Sequence, residues 1–193
     1  SHYKTLINGN PIHFIYEKGK GPNPTPLILS HGWPWTFWDW HKVIKPLTDP
    51  ESFGGDTKES FDVIVPSLPG YGFSSPLQSS GINFWETADI WVYLMRDVLG
   101  YDRFAAGGGD WGALVTSQLG HKHAKYIIGT YIHLMAPLDL FNGPLPEKID
   151  YTEEEKKYFD RNEAFFTNES GYSAIQTTKP QTVAYGLNDS PIG

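Results

Sequence analysis

The run Gly107-Gly108-Gly109-Asp110-Trp111-Gly112 restricts this chain more than any other stretch. Phe104-Ala105-Ala106 before it reads as a short strand, and Ala113-Leu114-Val115 after it reads as a helix. Gly108 and Gly112 stand two positions either side of Asp110. Without side chains there, the chain can turn from strand to helix tightly enough to thrust one acidic side chain clear of a sheet edge. A flexible loop ending in an Asp110 N-cap would use the same residues. A phosphate cradle also wants glycines at such a turn. The run lacks Lys and Ser/Thr at the required spacing, however, and an aspartate aimed into the cradle would repel the ligand.

The surrounding pattern says what sheet this turn belongs to. Tyr3–Ile7 and Ile12–Glu17 alternate apolar and polar residues around Asn8-Gly9-Asn10-Pro11, a hairpin signal. Leu27-Ile28-Leu29, Phe61–Val65, Arg103–Ala106 and Tyr126–Leu134 are short apolar runs suited to buried, mainly parallel strands. Helix-length patterns lie between them over Trp35–Leu47, Asn83–Leu99 and Trp111–His123. Asn83 with Glu86 has the spacing of a capping box. The expected fold is α/β: an N-terminal hairpin leading into a mostly parallel sheet flanked by helices. The alternation stops after Met135. A charged helix is expected from Thr152 and Glu155 to about Asn168, and Pro180 and Pro191 act as breakers in the polar stretch after Gly171. Residues 1–136 are therefore expected to form the core and residues 137–193 a partial helical cap.

Two further motifs fall in order with the turn. Ser30-His31-Gly32-Trp33-Pro34 follows the strand Leu27–Leu29, and Leu68-Pro69-Gly70-Tyr71-Gly72-Phe73-Ser74 follows Phe61–Val65. In α/β-hydrolases a His-Gly loop at the first position gives one backbone N–H of an oxyanion hole, and the residue after the nucleophile gives the other. Trp33 and Trp111 take those places here. A carboxylate is already an anion at neutral pH and needs no base to attack saturated carbon. The product is an ester that water can cleave, whereas a serine would leave an ether. An acid at this turn thus points to epoxides and alkyl halides.

At these residues the chain resembles the epoxide hydrolases, specifically the branch with the microsomal and juvenile-hormone enzymes. The resemblance runs from about Tyr3 to Gly193. It is carried by His31-Gly32-Trp33-Pro34, by Pro66 through Ser74, and by Gly108-Gly109-Asp110-Trp111-Gly112. Glu169-Ser170-Gly171-Tyr172, Thr178-Lys179-Pro180-Gln181-Thr182 and Leu187-Asn188-Asp189-Ser190-Pro191 extend it. It implies an α/β-hydrolase core with the start of a helical cap, and a small apolar epoxide as substrate. Asp110 would be the nucleophile, and Trp33 and Trp111 the oxyanion-hole donors. His31, Gly32, Pro34, Gly108, Gly109 and Gly112 would support them. Tyr172 in the cap would protonate the departing alkoxide. No cofactor and no metal are implied. The resemblance also puts a second cap tyrosine, a charge-relay acid and a general-base histidine beyond Gly193. The chain is thus expected to be a fragment, alkylated once without turning over. Among internal histidines, His31 belongs to the loop, His13 to the hairpin, and His121 and His123 to a solvated helix end. His133 stands at a strand end near the site but is a weak candidate base.

Composition narrows the rest. A net charge of −7 and a pI near 5.4 argue against nucleic-acid binding. No apolar run is long enough to span a bilayer, and no cysteine is present, which fits a cytoplasmic location. Seven tryptophans in a chain that is 15% aromatic fit an apolar pocket. The oligomeric state is not legible. Two other readings use the same motifs: a haloalkane dehalogenase, and a non-catalytic α/β-hydrolase-like binding module. Trp33, where dehalogenases commonly place Asn, and the cap Tyr172 weigh against the first. An intact turn and loop weigh against the second.

Overall fold

The computed structural model describes residues 1–134 and 147–190, and the chain divides into two compact units, Ser1–Phe141 and Asn142–Gly193. The expected boundary between 136 and 137 lies outside the described residues, as do Met135, Pro137 and Pro191.

The first unit is a six-stranded mixed sheet. Its strands are β1 (His2–Ile7), β2 (Asn10–Glu17), β3 (Thr25–Ser30), β4 (Phe61–Pro66), β5 (Phe104–Gly108) and β6 (Ile127–Ile132), in spatial order β1-β2-β4-β3-β5-β6. The hairpin β1–β2 joins β4 antiparallel, and β4, β3, β5 and β6 run parallel. Asn8 and Gly9 alone make the hairpin turn, both with positive φ (49° and 78°), so Asn10 and Pro11 already belong to β2.

Alternation along the strands divides the core between two faces. Leu27 and Leu29 of β3 and Val63 and Val65 of β4 point to one side, where Phe37 and Ile44 cover them. Ile28 and Ile64 point to the other, under α2 (Phe84–Tyr93) and α3 (Trp111–Lys122). Ile44 belongs to α1 (His41–Thr48). The helix expected from Trp35 starts later, because Thr36 is extended and caps a 3-10 turn, Phe37–Trp40, that leads into α1. Asn83 and Glu86 close the capping box on α2, which continues into a π-helical turn, Leu94–Val98. The last strand starts at Ile127 because Ala124–Tyr126 forms a 3-10 turn.

One polar cluster pins the sheet edge far from the elbow. Asp62 accepts from the Gly19 N–H (2.8 Å), the Tyr101 hydroxyl (2.5 Å) and Lys18 (3.2 Å), while the Tyr16 and Tyr101 hydroxyls lie 2.6 Å apart. The buried carboxylate is thereby satisfied by partners from two segments, Lys18-Gly19 and Tyr101.

The second unit is helical: α4 (Lys156–Asn168), α5 (Gly171–Thr178) and α6 (Pro180–Asp189). Glu155 closes back on the Thr152 N–H and hydroxyl before α4 begins. Pro180, expected as a breaker, instead opens α6 at the first-turn position, where its missing N–H costs nothing. No helix among the described residues is long and apolar enough to cross a membrane.

Candidate active site

β5 delivers Gly108 to the carboxyl edge of the sheet, opposite Ser30 of β3, and α3 begins three residues later. Asp110 bridges the two with φ 52° and ψ −128°, a conformation L-residues rarely adopt. Packing holds it there. A Cβ on Gly108 would sit 2.2 Å from the Gly112 carbonyl oxygen, and one on Gly112 would sit 2.1 Å from that of Ser30. Strand, elbow and first helical turn therefore touch backbone to backbone, and no larger residue fits at either point.

The loop after β3 approaches from the other side. A Cβ on Gly32 would lie 2.3 Å from Asp110 Oδ1, so the aspartate side chain lies directly against the Gly32 backbone. The Trp33 N–H donates to Asp110 Oδ1 at 2.9 Å. Trp111 opens α3 and Pro34 is exposed. The structure thus brings Asp110, Gly32, Trp33, Gly108, Gly109, Trp111 and Gly112 together. Tyr172 lies in α5 of the second unit, 60% exposed.

His31 supports this loop from beneath. It is buried; its Nδ1–H donates to the Gly32 carbonyl (2.8 Å), and its Nε2 accepts from the Leu68 N–H (3.0 Å). That pairing requires the neutral ring, and burial lowers its pKa accordingly. Trp91 Nε1–H reaches up from α2 to the buried Ser30 hydroxyl at 2.9 Å. The Leu68–Ser74 loop has a second anchor in His13, whose Nδ1 lies 2.9 Å from Ser67 Oγ and whose N–H donates to Ser74 Oγ. Ser74 Oγ in turn donates to the Ser67 carbonyl.

These anchors give an acid-sensitivity prediction. Burial, then the neighbouring His2 and Lys4, lower the His13 pKa from 6.5 to about 4. Above 6.5 the ring is neutral folded or unfolded. As pH falls from 6.5 towards 4 only the unfolded chain takes up the proton, so stability is lost across that window. The expected loss is on the order of 2 kcal/mol. Urea melts at pH 7 and pH 4.5 measure it, and His13→Gln should flatten the difference. An equal slope in the variant would remove His13 as the cause.

One histidine sits otherwise than expected, and His133 stands where it was expected, at the end of β6 near the site. His123 is not solvated: it is half-buried with Nε2 2.7 Å from Asp89 Oδ1, beside Lys122 on the same carboxylate. His133 lies against the elbow, because a Cβ on Gly109 would meet its ring at 2.0 Å, and Trp40 and Tyr131 flank it. The residue that sequence reasoning passed over is Tyr71. Its ring packs edge-on to His31 at 5.4 Å, and burial followed by the Asp110 charge raises its hydroxyl pKa to about 12. Nothing in a Gly-Tyr-Gly loop signals that placement.

A tight strand-to-helix elbow carrying an acid, with a second loop's N–H on that acid, is the arrangement of one large enzyme class. The chain matches the alpha/beta hydrolase fold over residues 25–189 and belongs to that family. Residues 1–40 match the epoxide hydrolase N terminus, and its homologues are epoxide hydrolases. It is 44% identical over 99% of its length to a putative epoxide hydrolase of Stigmatella aurantiaca, spanning 42% of that protein. It is 39% identical over its whole length to epoxide hydrolase 1 of Oryctolagus cuniculus, spanning 45%. Among solved structures, juvenile hormone epoxide hydrolase from Bombyx mori superposes with a TM-score of 0.70 at 35% identity, covering 98% of this chain and 42% of the other. Aspergillus niger epoxide hydrolase gives 0.73 at 28%, covering 99% and 48%. The chain spans less than half the length of these relatives.

Proposed function

We propose that this chain carries the nucleophilic half-reaction of an epoxide hydrolase, with Asp110 as the attacking group. The observation that carries the reading is the 2.9 Å hydrogen bond from the Trp33 N–H to Asp110 Oδ1, at an elbow held open by Gly108 and Gly112. With Oδ1 held by that N–H, Oδ2 attacks an oxirane carbon. A carbon–oxygen bond forms to Asp110 while a ring carbon–oxygen bond breaks. The ring oxygen departs as an alkoxide and takes a proton from Tyr172, in line with the role the family resemblance gives it.

Completing the cycle needs a general base, the role the family resemblance gives to a histidine outside the assigned site residues, to take a proton from water as it attacks the ester carbonyl. Negative charge develops on Oδ1, where the N–H groups of Trp33 and Trp111 stabilise it. With that base in place, collapse would release a vicinal diol and restore the carboxylate; without it the ester accumulates. A small apolar epoxide is the substrate this scheme calls for.

Incubation with styrene oxide tests the first step. Intact-mass measurement should show one equivalent of the epoxide added, and peptide mapping should place it on Asp110. Reversible binding without a covalent adduct would support the binding-module reading instead.

A further inference from the structure

We propose that His133 is a positioning residue for the nucleophile: its ring fills the place that a side chain on Gly109 would take, and clamps the elbow in the turn that aims Asp110. This rests on the nucleophile reading above and gives His133 no part in the chemistry itself.

Gly109 has no conformational need to be glycine, because, unlike Asp110, it does not have a positive φ. Nor does backbone press on it as on its neighbours. A Cβ on Gly108 or Gly112 would meet carbonyl oxygens, whereas the three atoms nearest a Cβ on Gly109 all belong to the His133 ring. They are Cε1 at 2.0 Å, Nε2 at 2.1 Å and Nδ1 at 2.8 Å. The residue before Asp110 thus gives up its side chain to an imidazole supplied by the neighbouring strand.

β6 delivers that ring in register. Gly107 and Gly108 of β5 lie opposite Tyr131 and Ile132. The His133 N–H then donates to the Gly108 carbonyl at 3.3 Å, which sets His133 beside Gly109. Tyr131 stacks near the imidazole, with ring centroids 5.8 Å apart, and Trp40 meets it edge-on at 5.9 Å. These two aromatic neighbours limit its swing.

The consequence falls on the next residue. Asp110, with φ 52° and ψ −128°, keeps that conformation only while its surroundings over-determine it. Backbone closes in at Gly108 and Gly112, and the Gly32 backbone lies against the carboxylate. The His133 ring adds a contact from the β6 side. Without it the Gly109–Asp110 peptide gains room to rotate, and the carboxylate spends less time in line with an oxirane carbon. A displacement of about 1 Å from attack geometry can cost on the order of 100-fold in rate.

Time courses of Asp110 labelling over a range of styrene oxide concentrations test this. In His133→Ala the limiting rate should fall about ten-fold with the half-saturating concentration unchanged, because the ring acts on attack geometry and not on binding. His133→Phe, which keeps a flat ring in place, should stay near the parental rate. Gly109→Ala should slow labelling in the parent, where the methyl meets the ring. In the His133→Ala background it should speed labelling, because it refills part of the space. His133 is exposed, so its replacement leaves the core untouched, and circular dichroism verifies the fold of each variant. An unchanged limiting rate in His133→Ala overturns the proposal, as does an equal effect of Gly109→Ala in both backgrounds. An unchanged rate with a longer-lived adduct also overturns it, and makes His133 the base that ester hydrolysis needs. Parent protein that takes no label sinks the nucleophile reading and this proposal with it, whereas the other failures sink this proposal alone.

Discussion

Asp110→Asn is expected to suppress covalent labelling by styrene oxide by ~10³-fold or more while leaving the fold intact. The amide has the shape of the carboxylate, and its oxygen can still accept the Trp33 N–H that Asp110 Oδ1 accepts at 2.9 Å. Asn also tolerates positive φ better than most residues, which matters at a position with φ 52°. Only the negative charge and its nucleophilicity are removed. Intact-mass time courses on parent and variant, with circular dichroism to verify folding, measure the effect. Labelling of Asp110→Asn at the parental rate would move the nucleophile to another residue.

The second large effect is steric. Gly112→Ala should cost about 3 kcal/mol of stability or more, because the new Cβ would press on backbone that cannot swing aside. Its nearest atoms are the Ser30 carbonyl oxygen at 2.1 Å and the His31 carbonyl oxygen at 2.8 Å. Gly120, in the same helix, is the control: a Cβ there meets only Thr130 Cγ2, at 3.5 Å. Gly120→Ala should be neutral or stabilising by up to ~0.5–1 kcal/mol, since it lowers backbone entropy in the unfolded chain. Urea denaturation of the two variants decides the matter. Equal stability would mean that the elbow does not depend on the contact between α3 and the end of β3.

The elbow was legible because its requirement is local. Two glycines at fixed offsets from an acid, between a strand pattern and a helix pattern, state the geometry in six consecutive residues. The capping box at Asn83 and Glu86 is legible for the same reason. What could not be read depends on segments distant in sequence. No local pattern says that β4 inserts between β2 and β3, or that the His133 ring lies over Gly109. The His13–Ser67–Ser74 network joins a hairpin to a loop more than fifty residues away, through residue types that serve equally well on a surface. Turn chemistry misled in two places: Thr36 capped a 3-10 turn before α1, and Pro180 began a helix where it was expected to break one.

The contact between Trp33 and Asp110 spans 77 positions in sequence. Closing so long a loop is entropically costly, and it cannot be completed until β3 and β5 lie side by side. Before that moment Asp110 is one of 22 acidic side chains, held in no special conformation and facing no particular donor. On the proposed reading, its reactivity is acquired with the fold rather than carried by the residue. A chain still emerging from the ribosome would offer an electrophile no privileged target, and the proposed power to capture one would arrive only with the finished sheet.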